Sequence, residues 1–368
     1  MKIHKIHIRH FKSIVDVELD ELTNFSVFSG ANGSGKSNFF ESLEFVRDVI
    51  RNGANQAIKK HGGYDNIRAY SLKSPQYQKI LADFDIELND RFVYKLEIRN
   101  IHKNPILLED VSKNGISIAS REIKKEAKTI VINGEILDLD YSSDESILKL
   151  ISKDAEELIE FLSAIERYQV DPNEAREPDD SAASDLLNAR ASNLITVLAK
   201  LEKDQEALPE IMDAMSMIVP GLETIKVEKE RLSSKTMMTF KEGGIKKRFP
   251  AGLVSDGTIY ALAMLVIIYS NHKGIILIEE PERGLNPKAI AELIEYFRDK
   301  SCDCNIFINT HSESVVSETK PSELLIVDKL AGKSEITRVI NKFPDYDYKS
   351  MNLQQMWLSN LFGGGLPW

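Results

Sequence analysis

Apolar and polar positions alternate through the first part of the chain. Val15, Val17 and Leu19 are interleaved with Asp16, Glu18 and Asp20, the two-residue period of a half-buried strand. The same reading gives strands at Lys2–Arg9, Val15–Leu19, Asn24–Phe28, Ile80–Leu88 and Phe92–Ile98, with more strand up to Leu139. The period then lengthens. Ile147, Leu150, Ile151, Leu158, Phe161, Leu162 and Ile165 recur at spacings of three and four, as do Leu194, Ile195, Val197, Leu198 and Leu201, which predicts amphipathic helices. Between them runs Asp171–Asp180, a polar crossing punctuated by Pro172 and Pro178. Short strands follow from Ile225 to Phe249, then helix, strand, helix and strand to about Asp328. The pattern predicts an α/β head interrupted by a helical insertion, with pieces at 1–143, 144–221 and 222–368.

Charge sharpens that division. The formal charge is −10, yet residues 144–230 hold 9 Lys and Arg against 21 Asp and Glu, leaving 38 against 36 elsewhere. One middle segment carries the acidity. Such a surface repels a phosphate backbone, so the segment is expected to dock protein. DNA contact is expected to be weak and confined to the head, where Lys2, Lys5, Arg9, Lys12 and the cluster Lys241, Lys246, Lys247 and Arg248 lie. Cys302 and Cys304 are the only cysteines, too few for a disulfide framework and without a second ligand pair for zinc. The longest apolar run, Ile259–Tyr269, is about half a membrane span. A soluble protein of the reducing cytoplasm, with no membrane partner, is the expectation.

The chemistry concentrates in Gly30-Ala31-Asn32-Gly33-Ser34-Gly35-Lys36-Ser37, a full match to G-x-x-x-x-G-K-[ST]. It follows the apolar strand and precedes a helical run to Arg51, as the mechanism requires. Its glycines let backbone N–H groups turn toward a triphosphate. Lys36 supplies positive charge at the β and γ phosphates, and Ser37 a hydroxyl for Mg2+. Far along the chain, Ile275–Ile278 runs into Glu279, Glu280 and Pro281. This reads as a buried strand delivering carboxylates to the C-terminal edge of a sheet, with Glu279 supporting Mg2+ and Glu280 polarising the attacking water.

Two further elements complete an order. Val254-Ser255-Asp256-Gly257-Thr258 precedes an apolar helix, and strand Asn305–Asn309 ends in Thr310-His311-Ser312. A P-loop, a serine–glycine signature, acidic residues after a strand and a histidine switch, in that sequence, resemble the head of an ABC-type ATPase. Further marks extend the likeness over nearly the whole chain. They are Arg9-His10-Phe11-Lys12-Ser13, Gly62-Gly63-Tyr64-Asp65-Asn66, Ala191–Leu198, Val219-Pro220-Gly221, Glu279–Pro287 and the tail Trp357–Trp368. The chain thus resembles the stand-alone RecF/SMC-like ATPases.

That resemblance implies a P-loop NTPase of ABC-head type with an antiparallel β subdomain and a helical lid, hydrolysing ATP with Mg2+. It implies that two heads sandwich two ATP molecules, each bound by one P-loop and by the partner's Ser255, Asp256 and Gly257. The Gly284–Asn286 loop would cross between the sites, with His311 at the γ-phosphate. It also implies a homodimer formed on ATP binding, acting in DNA repair or phage defence through an effector protein encoded nearby or through DNA. Three residues depart from the pattern: Glu279 stands where such heads usually carry Asp, and Asp256 and Thr258 replace Gly and Gln of a transporter signature. The glutamine expected near the metal has Gln56, Gln76 and Gln78 as candidates, and no heptad run predicts a coiled-coil arm. A transport subunit is the competing reading, disfavoured by the acidic segment and the signature. So is an OLD-type nuclease, for which the 57 residues after His311 are too few to form its Toprim domain.

Overall fold

The computed structural model describes residues 1–69, 80–88, 91–101, 104–124, 127–137, 141–178, 185–203, 207–229, 236–270, 272–342 and 353–363. Gln76, Gln78, Asp179, Asp180 and Trp368 lie outside them.

The alternating N-terminal strands build an eight-stranded antiparallel sheet. Its members are β1 (Ile3–Phe11), β2 (Ile14–Asp20), β4 (Ile80–Leu88), β5 (Phe92–Ile101), β6 (Asn104–Lys113), β7 (Ile116–Lys124), β8 (Ala127–Ile132) and β9 (Glu135–Leu137), in the order β2-β1-β4-β5-β6-β7-β8-β9. Phe84, Ile86 and Leu88 turn inward with Tyr94, Leu96 and Ile98, and all six are buried.

The second sheet has six strands. They are β3 (Phe25–Ser29), β10 (Glu166–Tyr168), β14 (Ile275–Glu279), β15 (Asn305–Thr310), β16 (Leu324–Leu330) and β17 (Lys333–Arg338), in the order β10-β14-β15-β3-β16-β17. All neighbours are parallel except β16 and β17. Every residue of β3, β14 and β15 is buried, because a parallel sheet is covered on both faces. The pleat divides each strand between two cores. Phe28, Ile275, Leu277, Phe307, Leu325 and Val327 join the core shared with the antiparallel sheet. Val27, Ile276, Ile278, Ile306, Ile308, Leu324 and Ile326 face the opposite one.

The first core is closed by α1 (Lys36–Asn52), which buries Phe39, Phe40, Leu43, Phe45, Val46, Val49 and Ile50, each worth roughly 1.5–3 kcal/mol against exposure. Two short helices, α2 (Ala54–Lys60) and α3 (Tyr64–Ile67), follow. The second core surrounds α8 (Asp256–Tyr269), whose residues Thr258–Ile268 are all buried, and includes one face of α9 (Pro287–Lys300). Residues of β11 (Leu222–Lys229) and β12 (Thr236–Glu242) join the same core; with β13 (Phe249–Pro250) these form a small third sheet. Among the described residues three further short helices are α10 (Glu313–Ser317), α11 (Val339–Lys342) and α12 (Leu353–Leu358); α12 places Met356 and Trp357 in the second core.

The expected helical lid at 144–221 is amended in one respect. It carries β10, which pairs parallel with β14 and so forms the rim of the central sheet. Its α4 (Glu156–Ser163) puts Leu158, Phe161 and Leu162 into the first core. Its α5 (Pro172–Arg176), α6 (Leu194–Leu201) and α7 (Ala207–Ile218) contribute Ala175, Leu198 and Met215 to the second. The acidic groups mark the outward faces of elements whose apolar sides are built into the head. Among the described residues no helix is long and apolar enough to cross a membrane.

Candidate active site

The turn from β3 into α1 is packed too closely for side chains. A Cβ on Gly30 would sit 2.1 Å from the Val327 carbonyl oxygen, and one on Gly35, at φ +112°, would sit 1.9 Å from Ser334 Oγ. Both positions require glycine for space, and Gly35 also for its left-handed backbone. Ser334 lies behind the loop: its Oγ donates to the Ser34 carbonyl at 2.7 Å and lies 2.7 Å from Ser13 Oγ, which accepts from Asn38 Nδ2 at 2.6 Å. Asn32 and Gly33 are exposed at the lip. Lys36 Nζ donates to the Gly30 and Ala31 carbonyls at 2.7 and 3.0 Å. Burial pushes its pKa down, with Glu279, Glu280 and Glu282 pulling the other way.

Parallel pairing of β14 with β15 sets Glu279 opposite Asn309. The Glu279 carboxylate is buried, and both its oxygens are engaged. Oε2 accepts from Asn309 Nδ2 at 2.8 Å and from Ser37 Oγ at 3.3 Å, while Oε1 accepts from Arg167 Nε at 3.0 Å and lies 2.7 Å from Arg167 Nη2. Glu280 has φ +50°, unusual for a residue with a side chain. Its N–H donates to the Asn309 carbonyl at 2.8 Å, and Tyr260 Oη donates to its carbonyl at 2.7 Å and to that of Glu279 at 3.2 Å. This bracing holds a half-exposed carboxylate with Oε1 3.5 Å from His311 Nδ1. Glu282 accepts from Thr310 Oγ1 at 2.7 Å, and burial raises its pKa.

One cavity of ≈ 310 Å³ unites these groups: it is lined by Asn32, Gly33, Gly35, Lys36, Ser37, Asn38, Glu279, Glu280, Asn309, His311 and Lys329. Ser255, Asp256 and Gly257 do not line it. Ser255 caps α8, its Oγ accepting from Thr258 N–H at 3.2 Å, and Asp256 is paired with Arg176 of α5. Gly257 lies against the loop after β14, where a Cβ would meet the Gly284 carbonyl oxygen at 2.2 Å. The structure therefore brings together the P-loop, Glu279, Glu280 and His311, and leaves Ser255, Asp256 and Gly257 outside this cavity.

Several residues at this site escape the sequence reading. Asn309, Lys329, Tyr260 and Ser334 belong to no local motif. Gln56 sits exposed on α2 and does not line the cavity. Gln169 directly follows β10, whose Tyr168 pairs with Ile278; it is exposed and does not line the cavity either. A three-residue strand has no periodicity to betray it. The basic hairpin after β12 is partly neutralised, with Lys241 paired to Glu223 and Arg248 donating to Thr224 and Thr239.

The donor set suits Mg2+. Ser37 hydroxyl and Glu279 carboxylate are hard oxygen groups, and among the described residues no three His, Cys, Asp or Glu are grouped to hold an ion by themselves. Mg2+ is characteristically bound by one or two protein oxygens together with substrate phosphates.

A parallel sheet whose central strand feeds a P-loop, flanked by an antiparallel sheet and joined by a signature helix, defines the ABC-type P-loop ATPase head. Residues 25–317 match the family described as "AAA domain, putative AbiEii toxin, Type IV TA system", and the chain belongs to that family; it is an ATPase. It is 19% identical over 330 residues to a Helicobacter pylori protein named "ATP/GTP phosphatase", covering 85% of this chain and 86% of that one. Among solved structures, an SMC head bound to the C-terminal winged-helix domain of ScpA shares the fold, with TM-score 0.57 and 16% identity over 92% of this chain and 98% of the other. An SMC head from Thermotoga maritima aligns with TM-score 0.46 and 13% identity over 92% and 99% of the two chains.

Proposed function

We propose that the chain is a nucleotide-switched ATPase in which two copies close on two ATP molecules. The observation that carries this reading is the division of parts: Lys36, Ser37, Glu279, Glu280 and His311 share one cavity, and Ser255, Asp256 and Gly257 of the same chain stay outside it. A second copy would supply the missing wall. On this reading the P-loop amides of residues 31–35 and Lys36 bind the phosphates. Ser37 and Glu279 would hold Mg2+, which would neutralise phosphate charge. Glu280 orients and deprotonates the attacking water, and His311, 3.5 Å away, senses the γ-phosphate.

The acidic surface of 144–221 is then the platform for a partner protein, an effector encoded nearby. The solved SMC head bound to a ScpA domain is one case of a head of this fold with a protein partner. DNA, where bound, meets the head through groups such as Lys246 and Lys247, both exposed, and is held weakly and in a salt-sensitive way. DNA repair or phage defence in the cytoplasm is the setting such a switch suits.

Glu280→Gln tests the reading. It should retain ATP binding, hydrolyse at least ~100-fold more slowly, and accumulate an ATP-dependent dimer in light scattering. Wild-type turnover would remove Glu280 from its role, and a strictly monomeric ATP complex would remove the dimer.

A further inference from the structure

Glu279 is one methylene longer than the aspartate such heads usually carry, and a longer carboxylate needs more restraint to present one oxygen to a metal. The restraint is visible. Arg167, on the rim strand β10, contacts Oε1 with both Nε and Nη2, at 3.0 and 2.7 Å. The guanidinium is itself held, with Nη1 3.6 Å from Glu44 Oε2 on α1, the helix that begins with Lys36 and Ser37. The preceding residue, Glu166, is tied to the same helix by Arg47 and Arg51 at 3.0 and 2.8 Å. Glu279 is 7% exposed at its side chain and Arg167 21%, so solvent screening of the pair is small.

We propose that Arg167 is a positioning residue for the metal-binding carboxylate. It fixes Oε1 and leaves Oε2, already beside Ser37 and Asn309, as the oxygen offered to Mg2+. This rests on the ATPase reading above and extends it. An arginine does this better than a lysine, because two N–H groups of one rigid plane converge on Oε1 and hold that oxygen in place. Groups that orient a metal ligand from behind typically matter by about 10–100-fold in metal affinity or activity.

The experiment measures binding of a fluorescent N-methylanthraniloyl ATP to the full chain, with EDTA and across a Mg2+ titration, alongside turnover. In Arg167→Gln the affinity in EDTA should match the wild type, the Mg2+ concentration for half-maximal binding should rise about tenfold, and kcat should fall with KM little changed. Arg167→Lys should recover only part of the loss; it also serves if the glutamine variant fails to fold. In a Glu279→Gln background the Arg167→Gln change should alter the Mg2+ dependence no further. An unchanged Mg2+ dependence overturns the proposal, as does an equal loss with EDTA, an additive effect in the Glu279→Gln background, or turnover above wild type, which would make Arg167 a latch. Absence of Mg2+-dependent nucleotide binding in the wild-type chain would instead sink the ATPase reading itself.

Discussion

Gly257 offers a direct way to separate the signature from the P-loop. It occupies the first turn of α8, and replacing it by alanine puts a methyl group 2.2 Å from the Gly284 carbonyl oxygen and 3.1 Å from its carbonyl carbon. The obstacle is backbone rather than a side-chain tip, so relief requires the loop after β14 and the start of α8 to part by about 1 Å, judged from an ordinary contact of 3.4 Å or more. Overpacking of this kind costs roughly 1–3 kcal/mol. A 1 Å misplacement of catalytic parts costs about 100-fold in rate. Gly257→Ala should therefore stay folded, with a modestly lower Tm by circular dichroism, bind fluorescent ATP as the wild type does, and lose about 100-fold in kcat. Turnover close to wild type would refute the argument, because the two glycines would then not need their close approach. Loss of nucleotide binding in proportion to turnover would refute it differently, by showing the disturbance reaches the P-loop.

Other expectations follow from the same geometry. Mixing Lys36→Ala with Ser255→Arg subunits should restore ATPase activity through one intact composite site per mixed dimer; no recovery, with mixed dimers confirmed by native mass, would argue against shared sites. His61 lies 2.8 Å from Asp48 and 3.3 Å from Glu41. Burial lowers its pKa, but hydrogen bonds to Asp48 and Glu41 prevail and raise it. Its stabilising contribution is thus complete below about pH 6.5 and lost as pH rises through the raised value. Glu41 has the opposite dependence: burial raises its pKa, His61 and Lys12 outweigh that and hold it at about 2. Its contribution is full above the ordinary carboxylate range and lost as pH falls toward 2. Melting temperatures between pH 6 and 9 should fall in the wild type and less steeply in His61→Gln, whose Tm at pH 6 is lower; parallel slopes would remove His61 from the balance.

The strand, glycine loop and helix of residues 25–52 and the buried strands that end at Glu279 and Thr310 were legible in sequence because each is a short run with its own local pattern. The antiparallel sheet was legible through its alternation. What the sequence hid is contact between distant segments. Arg167 gains meaning only because β10 lies beside β14, more than a hundred residues away. Ser334 matters because β17 follows β16 past the P-loop, where it occupies the space a side chain on Gly35 would need. The acidic middle segment shows how far charge alone can be read. Charge reports what faces water, and 144–221 is acidic outside while Leu158, Phe161 and Leu198 are fully buried in the head.

The position of β3 has a consequence for how the chain is made. It precedes every other strand of its sheet in the chain, yet its neighbours are β15 and β16, and 281 residues separate Phe25 from its partner Ile306. At about 5–20 residues per second on the ribosome, the strand that carries the P-loop waits roughly 15–60 s for the first of them. During that interval Phe25, Val27 and Phe28 have neither sheet partner, and Gly30 lacks the β16 backbone that packs against it. Nucleotide competence therefore arrives late in translation, and a nascent chain halted before residue 305 carries the whole P-loop sequence without a site to bind with.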